Sequence, residues 1–518
     1  MDRKWWTLIA VCVATFMLLI DITIVNVALP DIQESLDASL SSLQWVVDAY
    51  ALTLASFLLV FGSIGDRLGR RRVFSIGFGI FITASALCGF AGDPTLLNLA
   101  RGVQGIGAAA MFATALALIA QEFEGRERAN AIGIWGATVG GAVAIGPLVG
   151  GLLTEGLGWE WIFFVNVPIG LAALVLTEMR IPNLRATDPE PIDVPGLITF
   201  SGALFALIFG LIRGNSEGWG STVIVACLAG AALLMAAFVL IERHSDKAML
   251  DLALFGNRSF AGVSNVAFCI SAGMFAMFLY LTLYIQDVLG YSPLQAGLRF
   301  LPLSLVSFVV APLSARLSAK VPFRALMGTG LFLVAIGLVL VGGISAGDSW
   351  THLLPGFVLA GIGIGMTNPG IASVAVGVVE PARAGMASGI NGTFRQAGIA
   401  TGVAGLGAIF QHRVASDLGE QMPHAPSSFA DAVSSGAADQ ALAQLDPGIR
   451  EQAAAAANHA FIAGLNEILL VGAAIAFVGG LASWLMVRNS DMIPPAGVPA
   501  EAQPDGAEPE GAEPVVTA

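Results

Sequence analysis

The stretch GSIGDRLGRRR, residues 62–72, separates two apolar runs, ALTLASFLLVF (51–61) and VFSIGFGIFITASALCGF (73–90). Extended to their polar boundaries, both runs approach the ~20 residues that cross a bilayer core as a helix. A charged turn between two such runs marks where the chain leaves and re-enters the membrane on one side. Gly62, Gly65 and Gly69 permit a tight turn and close helix approach. Asp66 can cap a helix or pair with an arginine, while Arg67, Arg70, Arg71 and Arg72 set the side of the membrane. A plain positive-inside anchor needs the arginines, but neither the aspartate nor the glycine spacing.

Outward from this turn the same alternation fills the chain. Of 518 residues, 56% are hydrophobic and 12% charged, against about 25% charged in soluble domains. The expected class is an all-α polytopic membrane protein. Apolar runs place spans at 7–29, 45–64, 73–92, 95–119, 129–153, 161–179, 196–212, 221–241, 260–284, 297–317, 325–344, 353–376, 386–410 and 461–487, fourteen in all. With a cytoplasmic N-terminus, eighteen of the 24 Lys and Arg fall on the inside, so both termini are expected in the cytoplasm. The first run is too long for a signal peptide and no small-x-small cleavage site follows, so it reads as an uncleaved span.

Residues 411–460, rich in Ala and Ser, form a long external connection expected to hold short amphipathic helices. The acidic, Pro/Gly-rich tail 489–518 is expected to be disordered. The net charge of −13 offers no basic surface to nucleic acid. Cys12, Cys88, Cys227 and Cys269 all sit inside apolar runs without metal spacing, so no metal site or disulfide is expected. No phosphate-cradling loop or nucleophile–base arrangement suggests an enzyme.

At an offset of 256 residues the chain matches itself: 97–146 aligns with 353–402, pairing QGIGAA with AGIGIG and EGRERANAIGIWG with EPARAGMASGING. GDRLGRRR (65–72) has a fainter echo in SARLSAKV (314–321). The echoes fit an N-terminal six-helix half (1–180), inserted spans 7 and 8 with linkers (181–259), a C-terminal six-helix half (260–488) and the tail (489–518). Gly105 and Gly107 recur as Gly361 and Gly363, as packing residues should. Arg101 and Gln104 instead meet Phe357 and Ala360, so packing alone does not require the polar pair.

The 62–72 turn resembles the signature loop of the major facilitator superfamily. LARGVQGIGAA (99–109) and AIGPLVGG (144–151) are similar to motifs of its drug:proton antiporters. LLIDITIVNVALP, WEWIFFVNVPIG, YIQDVLGYSPLQAGLRFLP and GMASGINGTFRQAGIATG resemble the fourteen-span, EmrB/QacA-type branch. The likeness runs from about residue 5 to 488, with departures at Glu160, Ala142 and Ala315. It implies two six-helix halves plus two inserted helices, no cofactor beyond a proton gradient, and rocking of the halves gated by the signature loop. In span 5, Gly146, Pro147, Gly150 and Gly151 permit close packing; the resemblance implies a seal against proton leak, and an ordinary packing motif is the alternative.

Asp21 is the charge hardest to explain, because an isolated carboxylate in hydrocarbon costs about 2.5–3.5 kcal/mol on insertion scales. At ~1.5 Å per residue it lies roughly 9 Å below the outer surface of a ~30 Å core, and so does Arg101 on the inward-running span 4. Arg101 and Gln104 share a helix face, whereas Thr15, Thr23 and Asn26 form a second polar stripe on Asp21's helix, so that helix needs protein or water on both sides. Asp21 either titrates against Arg101 as access changes or forms a static buried ion pair. Asp48 is a second proton candidate or an interfacial residue. Asn26, Gln104, Asn391, Arg395 and Glu467 are expected at the substrate cavity, with outward snorkelling the alternative for Glu467. The expected function is proton-coupled export of lipophilic, often cationic compounds across the bacterial cytoplasmic membrane by a monomer in the lipid bilayer. A dedicated exporter of one endogenous metabolite, lipid, amino acid or antibiotic is the alternative.

Overall fold

The structure, a computed structural model, describes residues 2–38, 40–182, 193–245, 249–422 and 427–493. The expected tail disorder from 494 onward falls outside them. Every regular element among the described residues is helical. In chain order these are α1 (Arg3–Leu36), α2 (Leu40–Leu68), α3 (Arg70–Gly89), α4 (Pro94–Glu122), α5 (Gly125–Leu157), α6 (Trp161–Phe164), α7 (Asn166–Arg180), α8 (Val194–Glu217) and α9 (Thr222–His244). After a short 3-10 turn come α10 (Arg258–Leu283), α11 (Pro293–Leu317), α12 (Phe323–Val341), α13 (Leu354–Gly377), α14 (Ala384–Gln421), α15 (Ser427–Ser435), α16 (Ala438–Ala443) and α17 (Pro447–Met486).

Local sequence explains the starts. Asp93 accepts from Thr95 and Leu96 N–H, both at 2.9 Å, with Pro94 in the first turn of α4. Ser292 and Gln295 close a reciprocal capping box on α11.

Among the described residues twelve helices are long and apolar enough to cross a membrane. The chain is a multi-pass membrane protein. The two remaining expected spans, 129–153 and 386–410, fall within α5 and α14. Both are rich in Gly and Ala and packed among other helices: α5 against α1, α11 and α13; α14 against α2, α4, α8, α10 and α17. A helix walled by protein needs no fully apolar circumference.

The external connection holds the short helices expected of it, α15 and α16, and is also framed by two long ones. Helix α14 has 38 residues and α17 has 40, roughly 57–60 Å at ~1.5 Å per residue, so both outrun a ~30 Å core. Their projecting ends pack Val414, Leu418, Ala453 and Ala456 with Phe429 and Val433 of α15. Asp417 accepts from His459 Nδ1 at 2.8 Å and from Gln421 at 2.6 Å. Much of 411–460 is thus a folded helical cap continuous with two long helices.

At the other end lie the basic connections and both ends of the described chain. Lys4 pairs with Glu127 at 2.7 Å, Arg383 with Asp251 at 2.5 Å, and Ser259 donates to Asp491 at 2.6 Å. This end is the basic face of the molecule.

Packing bears out the glycine equivalence in the internal repeat. A Cβ on Gly105 would strike Thr53 and Tyr50 of α2, and one on Gly107 would meet Phe81 N of α3 at 2.6 Å. Gly361 is pressed likewise against Leu303 of α11, and Gly363 against Gly330 of α12. Their neighbours Phe357 and Ala360 are simply buried, each at 1% exposure, where the N-terminal copy places Arg101 and Gln104.

Candidate functional site

Asp21, Arg101 and Gln104 come together in the interior of the N-terminal helices. Arg101 Nη1 donates to Asp21 Oδ2 at 2.5 Å and to Gln104 Oε1 at 2.7 Å. Gln104 Nε2 donates to Asp21 Oδ1 at 2.9 Å. Asn166 of α7 adds a donor to the same oxygen at 3.2 Å, and also donates to Ser85 of α3 at 3.1 Å. Arg101 Nε donates to Val46 O at 2.9 Å, and the guanidinium lies 4.3 Å from the Tyr50 ring centroid. Asp21 and Gln104 are 0% exposed and Arg101 is 1%. A charge pair this dry is held by the hydrogen bonds that occupy its remaining donors and acceptors.

Gln104 is therefore part of the ion-pair network and does not line a cavity, a correction that follows from its bonds to both charges. Asn166, Ser85 and Tyr50 were not singled out from sequence. Asn166 sits inside WEWIFFVNVPIG, and an amide two residues before a proline in an apolar run was the available signal.

The opposite face of α1 meets α5. Trp135 Nε1 donates to Thr15 Oγ1 at 2.9 Å, and Thr23 lies where a Cβ on Gly146 would go. So α1 does have protein on both polar sides. The side chains of Asn26 and Pro147 lie outside the described residues. A Cβ on Gly150 would sit 2.9 Å from Ile24 Cγ1, whereas nothing lies within 4 Å of one on Gly151. Close packing thus needs Gly146 and Gly150 but not Gly151. Gly150→Ala is expected to cost about 1–3 kcal/mol through overpacking and Gly151→Ala close to nothing, a difference that thermal unfolding in detergent would read.

The break within 62–72 is shorter than expected: α2 continues to Leu68 and α3 starts at Arg70, so Gly62, Gly65 and Asp66 are helical and Gly69 alone makes the turn. This segment bridges to the C-terminal helices. Asp66 Oδ1 accepts from Gly385 N–H at 3.0 Å and Oδ2 from Met386 N–H at 2.7 Å, so the carboxylate caps α14. Arg70 pairs with Asp66 at 2.8 Å, donates to Ala117 O at 3.3 Å, and donates to Pro381 O. Gly62 leaves room for Gly385 O, which a Cβ would strike, and Gly69 bends the turn at φ 103°. Arg71 pairs with Glu178 of α7. Arg67 is partly buried near Glu242 of α9. Together these contacts close the basic face.

A small cavity of about 40 Å³ lies between α5 and the helices α10, α11 and α13, lined by Val139, Met274, Phe278, Ser304, Ser307 and Asn368 among others. Arg395 Nη2 donates to Asn368 Oδ1 at 2.9 Å, which places a cation behind the polar edge of this cavity. Asn368 was not anticipated; its position in TNPG within an apolar run was the signal. Asn391 is buried, with its Nδ2 unpartnered, but does not line the cavity. Glu467 is not at the cavity at all. It is exposed and 3.6 Å from Arg413 near the cap, because its position on α17 points outward, the snorkelling alternative. Asp48 is half-buried, stands apart from the Asp21 network, and feels the charge of Arg213 on α8.

Comparison with known proteins agrees with this architecture. The Major Facilitator Superfamily pattern matches residues 11–403. The puromycin resistance protein pur8 of Streptomyces alboniger is 38% identical over 423 residues, 81% of this chain and 84% of its own length. The multidrug resistance protein Stp of Mycobacterium tuberculosis is 36% identical over 492 residues, 92% of this chain and 91% of its own. The solved structure of the human organic anion transporter MFSD10 (TETRAN) superposes with a TM-score of 0.64 at 14% identity, covering 93% of this chain and 100% of that one, a likeness of fold alone. Matched by the family pattern over residues 11–403 and by relatives over most of its length, the chain belongs to the major facilitator superfamily.

Proposed function

We propose that this protein is a proton-coupled antiporter that exports lipophilic compounds from the cytoplasm of a bacterium, acting as a monomer in the cytoplasmic membrane with its basic face inward. The observation that carries the coupling is the buried Asp21–Arg101 pair, which joins α1 to α4 at 2.5 Å while its repeat counterpart is apolar. A proton reaching Asp21 cancels one charge and loosens the α1–α4 contact; its departure restores both. Such a change can bias rocking of one half against the other. The names of the relatives pur8 and Stp, both resistance proteins, support efflux as the direction. Dye efflux measured in everted vesicles should collapse on adding a protonophore, and efflux that persists would overturn the coupling.

The cavity qualifies the expected cargo. Its described lining holds no carboxylate, and the charge beside it is the cation Arg395, whose hydrogen-bond partner is the neutral Asn368. Neutral or acidic lipophiles therefore suit it better than cations. Arg395→Gln is expected to weaken export of an acidic lipophile by about tenfold, equivalent to ~1.4 kcal/mol, with a smaller effect on a neutral one. Competition by paired acidic and neutral compounds of similar size would show the difference.

A further inference from the structure

The inserted pair α8–α9 carries charges that neither the ion-pair network nor the cavity uses. Asp193 starts α8, its Oδ1 accepting from Gly196 N–H at 3.0 Å, while its Oδ2 is buried with no partner among the described residues. Glu242, in the last turn of α9, accepts with Oε1 from the N–H groups of Met249 and Leu250, both at 3.1 Å. Its Oε2 is likewise buried and unpartnered. The two residues are 6% and 5% exposed.

Their carboxyl groups converge over Gly196. A Cβ built there would touch Asp193 Oδ2 and lie 3.1 Å from Glu242 Oε1. Among the described residues, the charged groups that act on Glu242 are Asp193 from the head of α8 and Arg67 from the α2–α3 turn.

Two dry carboxyl groups that face one glycine, each with an oxygen left over, favour a proton on one of them, which removes a charge. Helix dipoles select its place. Asp193 caps a helix N-terminus, where an anion is favoured, and Glu242 sits at a helix C-terminus, where it is not. We infer that Asp193 and Glu242 form a second proton-binding site, with the proton held by Glu242 on its unpartnered Oε2. Release of that proton adds a negative charge beside Arg67, in the same turn whose Asp66 and Arg70 hold the basic face closed. The inserted helices thereby report proton occupancy to the latch.

Infrared difference spectra of the purified full-length protein in lipid nanodiscs, recorded across pH, read protonated carboxyls directly. The expected result is a pH-sensitive carboxylic-acid band that is absent from Glu242→Gln, displaced in Asp193→Asn, and retained in Asp21→Asn. Should a variant misfold, wild-type protein carrying carbon-13 in its glutamate carboxyls should show the same band moved by the isotope. A band untouched by both substitutions and by the label would overturn the site. So would a band abolished by sodium at constant pH, which would make this a metal-cation site instead.

Discussion

Asp21→Asn is expected to abolish proton-coupled efflux and to lower stability by about 3–5 kcal/mol, the cost of leaving a buried charge without its partner. Arg101 would keep its bonds to Gln104 Oε1 and Val46 O, but a neutral amide cannot balance its charge at 1% exposure. Loss of transport alone would not separate a titrating group from a static structural pair. Asp21→Asn combined with Arg101→Met separates them. Removing both charges should recover much of the stability, because a well-packed apolar replacement of a buried pair is often neutral or better. If Asp21 carries the proton, efflux stays absent in the stable double variant. If the pair only specifies packing, efflux returns with stability, and the coupling role is lost. Thermal unfolding and dye efflux on the same preparations give both readings.

Asp66→Ala is expected to release the basic face. The carboxylate accepts from Gly385 and Met386 N–H and from Arg70 Nε, at 3.0, 2.7 and 2.9 Å. Hydrogen bonds to a charged group contribute about 1.5–3 kcal/mol each, and those across the halves exist only while the halves are closed here. Losing even one unit of that size shifts the closed-to-open ratio by roughly ten- to a hundredfold. Spin labels at the exposed positions 72 and 380, which flank the Arg70–Pro381 contact, should report one short distance in the parent and an added longer one in Asp66→Ala. Equal distance distributions would show that the turn does not latch this face. The effect on folding should be small by comparison, because the bonds join halves that each pack on their own helices.

Much of this was legible in the chain. Apolar run length and the placement of arginines specify helices and their boundaries because the bilayer imposes one thickness and one rule for backbone polar groups. The depth match of Asp21 and Arg101 was readable for the same reason: rise per residue converts sequence position into height. The repeat separated Gly105 and Gly107 from Arg101 and Gln104 because packing glycines must recur wherever helices cross closely, while a charged pair need not.

Other features were not readable. Glu467 was placed at a cavity by depth, and depth does not say which way a helix faces. Gln104 was assigned to the cavity from the helix face it shares with Arg101, although its bonds lie with Asp21. The 411–460 segment was expected to hold short helices, which α15 and α16 are, but that the projecting ends of α14 and α17 wall it was not readable, because alanine-rich helix has no strong apolar stripe. It is ordered by burial of Phe429 and Val433 against two other helices.

By itself, then, the sequence determined the class of protein, the course of its spans, the turn at 62–72 and the identity of one buried acid and base, since each follows from local composition and one-dimensional spacing. Only the tertiary structure decided that Asn166 completes the Asp21 network, that Asp66 caps a helix 320 residues away at Met386, and that Asp193 and Glu242 meet over Gly196. Those contacts depend on helix rotation and on which helices become neighbours, quantities set by the packing of the whole bundle rather than by any single segment of it.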